Sequence, residues 1–490
     1  MIPALLVLLP VPVVGWCIVR LLLGRARGAA ERATHMALGW GVGAGVCALN
    51  YYVWLRTDPD SGAGFVLGEI VILGVLAAFL GSIAHAKKKR EVSTATPIEI
   101  EVVSPKRGAR AATLLLTALL ALAAYASWRQ FTCALAASPH GSYDAWSVYN
   151  LKARLMFRGG DDWHHALSAV NPHPDYPLLL PALVARSWSL LGADLQVVPQ
   201  LIAFIYLVTT ALLLVAALTR HATVASGLLA GSVLLATPLF SIHAASLFAD
   251  GPLAWAFLGV AVLLARHGSD GACAAPVKNS LLLAGLIAAI AAWTKNEGAL
   301  FAGAAGAVLC CVRLGATTRR CALGWYTLGA APLLLLLVHF KLTAPASTTG
   351  LAPFSSELVA RLANPARYWI VVQAVAFHSW VVMPAVALGL YAWTNGLRRE
   401  AALRRPLLVC GLTLGLTLVG YLLAYVVASG DLAGMVSRSS RRLLLQVWPA
   451  ALWLVFLGTQ PLFAWAVSPR PALTSEPNLT PDERVRSAIC

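Results

Sequence analysis

Residues 196–219 read QVVPQLIAFIYLVTTALLLVAALT, an unbroken stretch without a charged side chain. About 20 apolar residues in a helix cross the hydrocarbon core of a bilayer, so this stretch sets the fold class as membrane-spanning and α-helical. Comparable runs fall near 2–23, 35–55, 65–84, 111–128, 223–241, 252–266, 323–340, 367–392, 406–428 and 443–467. The stretch 280–312 is apolar but interrupted by Trp293-Thr-Lys-Asn-Glu-Gly298, which predicts two short helices joined at the membrane surface. The expected fold is all-α: a polytopic integral membrane protein of about 13 transmembrane helices. The first run lacks a basic leader and is followed closely by further spans, so it is expected to stay as a helix rather than act as a cleaved signal.

Composition agrees. Over 490 residues, 59% are hydrophobic and 12% charged, with a mean hydropathy of +0.74. A soluble chain keeps about a quarter of its residues charged, so a soluble enzyme, a disordered protein and a secreted disulfide scaffold are all excluded. The net charge of +16 comes from 37 Lys+Arg against 21 Asp+Glu. In a membrane protein that excess marks cytoplasmic loops. Nucleic acid is not an expected partner, because no basic stretch alternates with aromatics that stack bases. The nine cysteines show no zinc-ligand spacing, and most lie in apolar runs, where Cys acts as a small hydrophobe.

The loop 84–110 carries Lys87, Lys88, Lys89, Arg90, Lys106, Arg107 and Arg110, which places it in the cytoplasm. Alternation from there puts Arg25, Arg27, Arg32, Arg220, Arg266, Arg313, Arg319, Arg320, Arg398, Arg399, Arg404 and Arg405 inside too. The N-terminus then lies outside and the C-terminal tail inside. Two outer segments, 129–177 and 429–442, break the charge rule, so their charges need another reason.

The long outer loop 129–195 holds Tyr143, Trp146, Tyr149 and Trp163, aromatics suited to a lipid–water interface. Residues 144–157 have apolar positions near helical spacing, which predicts an interfacial helix. Pro177-Leu-Leu-Leu-Pro-Ala-Leu-Val-Ala-Arg186 continues as a second, half-buried helix. Asp144 can act as a general base on a hydroxyl or amine, or as the cap of the helix it opens. Asp250-Gly-Pro252 allows the same cap reading, with Pro252 in the first turn. Lys295 and Glu297 sit in the helix break, where ionisable groups need a partner or a wet cavity; a mutual surface pair is the plain alternative. Arg438, Arg441 and Arg442 precede the last span. Guanidinium forks bind phosphate oxygens in bidentate fashion, although lipid headgroups would serve as well. His140, His164, His165 and His173 share the loop with Asp161, Asp162 and Asp175. A divalent metal is chemically conceivable there, but the spacing matches no metal motif. His243 and His378 lie near helix ends, where neighbours are expected to satisfy them.

In order and topology, residues 111–467 resemble the GT-C superfamily of membrane glycosyltransferases, near its protein O-mannosyltransferase and lipid A aminoarabinose transferase branch, glycosyltransferase family 39. The shared pattern is a span, a large outer loop with an early Asp, a His-Pro-x-Tyr-Pro stretch, an Asp-x-Pro-Leu at an outer helix start, a Thr-Lys helix break and an Arg-rich final outer loop. The resemblance implies a bacterial inner membrane, a polyprenyl-phosphate-linked sugar donor, a lipid, glycan or protein acceptor, transfer with inversion at the outer face, and no cofactor. It implies catalytic roles for Asp144, Asp250 and Glu297. It also implies substrate contacts from Lys152, Arg154, His173, Tyr176, Lys295, Arg438, Arg441 and Arg442. Residues 1–84 are then accessory N-terminal helices, 85–110 a cytoplasmic linker and 468–490 a cytoplasmic tail. A transporter or flippase of a lipid-linked sugar is the alternative; it calls for charges near the bilayer midplane and repeated halves.

Overall fold

A computed structural model describes residues 2–58, 62–92, 107–267, 275–314, 317–345, 356–378, 382–460 and 462. The tail 468–490 and the middle of the linker lie outside the described residues. The chain opens with α1 (Ile2–Leu8), α2 (Pro10–Leu23), α3 (Ala29–Thr57), α4 (Gly62–Val92) and α5 (Arg107–Ala137). The long segment that follows α5 contributes α6 (Asn150–Arg158) and α7 (Leu179–Leu191). Then follow α8 (Val197–His221), α9 (Val224–Leu235), α10 (Pro238–Ala245), α11 (Asp250–Leu264), α12 (Ala275–Thr294) and α13 (Asn296–Cys311). The last third is α14 (Arg319–Thr343), α15 (Ser356–Ala363), α16 (Pro365–His378), α17 (Val382–Asn395), α18 (Ala401–Val427) and α19 (Leu432–Gly458). Among the described residues, β structure is limited to two isolated bridges.

The protein is an all-helical membrane protein. Among the described residues, six helical stretches are long and apolar enough to cross a bilayer, or seven if the bent pair α9–α10 counts as one span. That is fewer than the thirteen or so helices read from the sequence. At 15 residues α11 is short for a crossing. The run 223–241 is not one helix; it bends by 58° between α9 and α10, where Pro238 has no N–H to continue the ladder. The run 280–312 divides at Lys295, in extended backbone between α12 and α13.

The N-terminal helices are not a peripheral annex. The indole N–H of Trp255, in α11, donates to the Ala37 carbonyl of α3 at 2.9 Å, and Trp40, Tyr206 and Trp255 pack edge to face. A Cβ at Gly15 would overlap the Gly39 carbonyl, so glycine is what lets α2 and α3 touch backbone to backbone. The stretch expected to be a half-buried helix is α7, and its residues from Leu179 to Trp188 are all buried. Arg186 is 0% exposed. Its Nε donates to Glu69 Oε1 of α4 at 2.6 Å and its Nη1 to the Val7 carbonyl at 3.1 Å.

Removing one partner of such a pair strands a buried charge, at about 3–5 kcal/mol. Arg186→Met is therefore expected to lower thermal stability in detergent sharply. The double variant Arg186→Met/Glu69→Leu is expected to recover most of the loss. Equal losses in the single and double variants would mean the pair does not hold α7.

The basic loops gather at one end. Glu31, at the start of α3, accepts from Arg220 at the end of α8 and from Arg266 after α11 (3.3 Å). Arg398, between α17 and α18, donates to the His221 carbonyl at 3.0 Å. Asp250 begins α11 at the opposite end, and the remaining unusual charges collect around it.

Candidate active site

After α5 the chain turns at Gly141, whose φ of +76° suits glycine. The next N–H, of Ser142, donates to the Ser246 carbonyl at 3.1 Å. A Cβ at Gly141 would lie 2.7 Å from that same oxygen. This contact docks the start of the segment after α5 on the turn between α10 and α11. The expected interfacial helix is two pieces, a π-helical turn at Ala145–Tyr149 and then α6. Asp144 stands at the head of the π turn but does not cap it.

The Asp144 side chain, 27% exposed, instead accepts from Arg442 Nη1 at 2.6 Å. The two residues are 298 positions apart in sequence. Arg442 Nε donates to Asp250 Oδ2 at 2.9 Å, and the guanidinium lies 3.8 Å over the Phe248 ring. Asp250 is 0% exposed. Its other oxygen accepts from Gln446 Nε2 (2.5 Å) and Lys295 Nζ (3.4 Å). Lys295 also meets Glu297 at 2.7 Å. The pair expected at the surface is thus anchored inward, with Lys295 buried. Helix α11 begins at Asp250 rather than Pro252, so Asp250 lies in the first turn, where the helix dipole favours a carboxylate. Both Asp250 oxygens are engaged, and the buried carboxylate holds Arg442, Lys295 and Gln446 in place.

Sequence reasoning missed Gln446 and Tyr421. The Tyr421 hydroxyl donates to Gln446 Oε1 at 2.6 Å, which fixes the amide so that its N–H₂ faces Asp250. One signal was available: Gln446 follows Arg442 by four residues, on the same helix face. Tyr149 was read as an interfacial aromatic. It is buried, its charge environment is set by Lys295, Asp250 and Glu297, and its hydroxyl has no hydrogen-bond partner among the described residues.

Beside this cluster lies the 171–177 loop. Lys152, 1% exposed, donates to the carbonyls of His173 (2.7 Å), Pro174 (3.4 Å) and Tyr176 (3.3 Å). Burial pulls its ammonium down to about 7, with Asp175 opposing. Lys152 therefore clasps the loop by three of its carbonyls. Asp175 Oδ2 accepts from Asn296 Nδ2 at 3.0 Å. Lys341, at the end of α14, reaches the Asp175 carbonyl (2.6 Å) and Asn296 Oδ1 (2.7 Å). These bonds fasten the loop to the α12–α13 break. His173 (φ 52°) stacks on Tyr176 at 4.4 Å. Burial lowers the His173 imidazole, against the pull of Asp144 and Asp175, and Tyr176 lies within electrostatic reach of Lys295, Glu297 and Asp144.

Replacing Lys152 with Met leaves three loop carbonyls without their donor, at about 1–3 kcal/mol for each buried group left unsatisfied. Faster proteolysis at 171–177 and a lower unfolding temperature are expected. Unchanged proteolysis would show that the clasp is dispensable.

Arg154 does not join the site. It pairs with Asp194 at 3.2 Å and lies over Trp188, and Arg158 meets the same carboxylate at 2.6 Å. The hydrogen bond from Arg158 holds Asp194 below the usual carboxylate range, against partial desolvation and with help from Arg154. Arg438 and Arg441 are exposed on α19, nearer its start than Arg442. Among the described residues, no three His, Cys, Asp or Glu side chains group as a metal site. His378 lies in α16. No protein-family model, curated protein or solved structure matches this chain.

Proposed function

We propose that the chain is a membrane glycosyltransferase of the GT-C kind. It moves a sugar from a polyprenyl-phosphate donor to a lipid, glycan or protein acceptor at the outer face of a bacterial inner membrane. Thirteen passes, with the N-terminus outside, the C-terminus inside and the α2–α3, α8–α9 and α17–α18 turns in the cytoplasm, fit the alternation of basic and acidic ends. The observation that carries the reading is Arg442 held between Asp144 and Asp250 at the end away from the basic loops.

In this mechanism the acceptor hydroxyl or amine gives its proton to the Asp144 carboxylate as it attacks the anomeric carbon. The bond from that carbon to the phosphate oxygen breaks, and polyprenyl phosphate leaves with the electron pair. Inversion follows from attack opposite the leaving group. Arg442 stabilises the developing phosphate charge without reorganising, because Asp250 already fixes it. In the resting arrangement Arg442 occupies Asp144. A donor phosphate competing for the guanidinium frees the carboxylate to act as base, which couples proton removal to donor binding. Glu297 holds Lys295, and His173 with Tyr176 lines the acceptor side.

Titrating membranes that contain the full chain with polyprenyl-phosphate sugars tests this. Sugar appearing on lipid, glycan or protein, with polyprenyl phosphate released in equal amount, is the expected result. Donor crossing the bilayer with its sugar still attached would instead establish a flippase.

A further inference from the structure

His243 sits in the last turn of α10, and no part of the proposed mechanism uses it. Neighbours were expected to satisfy it, yet both its ring nitrogens are buried without a hydrogen-bond partner among the described residues. Arg442 Nη2 is in the same position. Its other two nitrogens are taken by Asp144 and Asp250. The two orphaned groups share a neighbour. The His243 ring centroid lies 5.8 Å from that of Phe248, and the Arg442 guanidinium lies 3.8 Å over the Phe248 ring.

The backbone that places Phe248 is strained. Among the described residues only His173 and Leu247 are non-glycine residues with positive φ, and Leu247 has φ 57°. A leucine there is sterically disfavoured and persists only where its surroundings impose it. The charges facing His243 are those of Asp250, Arg442 and Arg441.

Buried polar atoms without partners are uncommon in native proteins and call for an explanation. A guanidinium N–H and an imidazole N–H both donate, so the group that satisfies them together brings acceptor oxygens and negative charge. The apolar floor at Phe248 fits a ligand whose remainder is hydrocarbon. We propose that His243 and Arg442 Nη2, which both border Phe248, form a seat for a phosphate anion, with His243 as a direct phosphate ligand. The inference rests on the glycosyltransferase reading, whose donor carries such a phosphate. The same chemistry would also take free phosphate.

The test uses the full chain in lipid nanodiscs, with a short-chain polyprenyl phosphate and inorganic phosphate as separate probes. His243→Leu is expected to weaken binding of the lipid phosphate by about tenfold, as expected for losing a charge-assisted hydrogen bond. The unliganded variant is expected to melt at or above the wild-type temperature, because two orphaned nitrogens are gone. His243→Gln, which keeps a donor, is expected to bind more tightly than His243→Leu. Inorganic phosphate binding as tightly, with the same dependence on His243, identifies free phosphate as the ligand; binding of the lipid alone identifies the lipid. Affinity within twofold of wild type in both variants overturns the seat. So does a loss confined to a destabilised His243→Leu while a stable His243→Gln binds as wild type. Absence of sugar transfer with His243-dependent phosphate binding intact overturns the glycosyltransferase reading alone. Transfer intact with His243-independent binding overturns this inference alone.

Discussion

Arg442→Leu is expected to cost both fold and activity, with the largest effect of any single change. It removes the nearest cation from Asp250, which is 0% exposed and keeps only Lys295 and Gln446. Stranding part of a buried ion network costs about 3–5 kcal/mol. Losing a fixed donor to the leaving phosphate costs about 10²–10³ in rate. The two effects separate in Arg442→Lys. A lysine keeps a positive charge but not the two-pronged fork that spans Asp144 and Asp250. Arg442→Lys is therefore expected to regain much of the thermal stability and little of the activity. Full activity in Arg442→Lys would show that charge alone suffices and that the fork geometry is irrelevant.

Asp144→Asn is the second large effect, and its character differs. The Asp144 carboxylate is partly exposed, and its partner among the described residues, Arg442, keeps Asp250. Folding should change little. Transfer should fall by about 10²–10⁴, the usual contribution of a positioned general base, in kcat, with the donor KM unchanged or lower because the carboxylate no longer competes for Arg442. A matching fall in stability, or a purely KM effect, would move Asp144 from chemistry to scaffolding.

The helical membrane class was legible because burial in lipid selects long uncharged runs such as 196–219. The break at Lys295 was legible because Lys-Asn-Glu cannot sit unpaired in hydrocarbon. The bend before Pro238 was missed because the run 223–241 stays apolar through it, and hydropathy does not register a lost N–H. The depth of α7 was missed for a different reason. Amphipathic spacing in Pro177–Arg186 shows one apolar face, but α3, which packs closely against α7, lies more than a hundred residues earlier. In the site, Asp144 and Arg442 stood out in the two segments that break the charge rule, and Asp250, Lys295 and Glu297 at a helix start and a helix break, and they do converge. Lys152 and Arg154 stood out by the same rule and turned out to fasten the loop. Sequence registers the sign of a charge but not whether its partner is a backbone carbonyl. Gln446, Tyr421 and Tyr149 carry no formal charge, so the rule that found the others was blind to them.

The central claim is sugar transfer from a phosphate-linked lipid at the Asp144–Arg442 site. Its most direct test is a reconstituted assay in proteoliposomes, pairing polyprenyl-phosphate sugars with lipid, glycan and protein acceptors and comparing wild type with Asp144→Asn. The expected result is one inverted glycosidic bond formed for each polyprenyl phosphate released by wild type, and loss of both products in a folded Asp144→Asn. Release and transfer proceeding at the wild-type rate in Asp144→Asn, or a folded wild type that transfers no sugar from any donor in the panel, would contradict it.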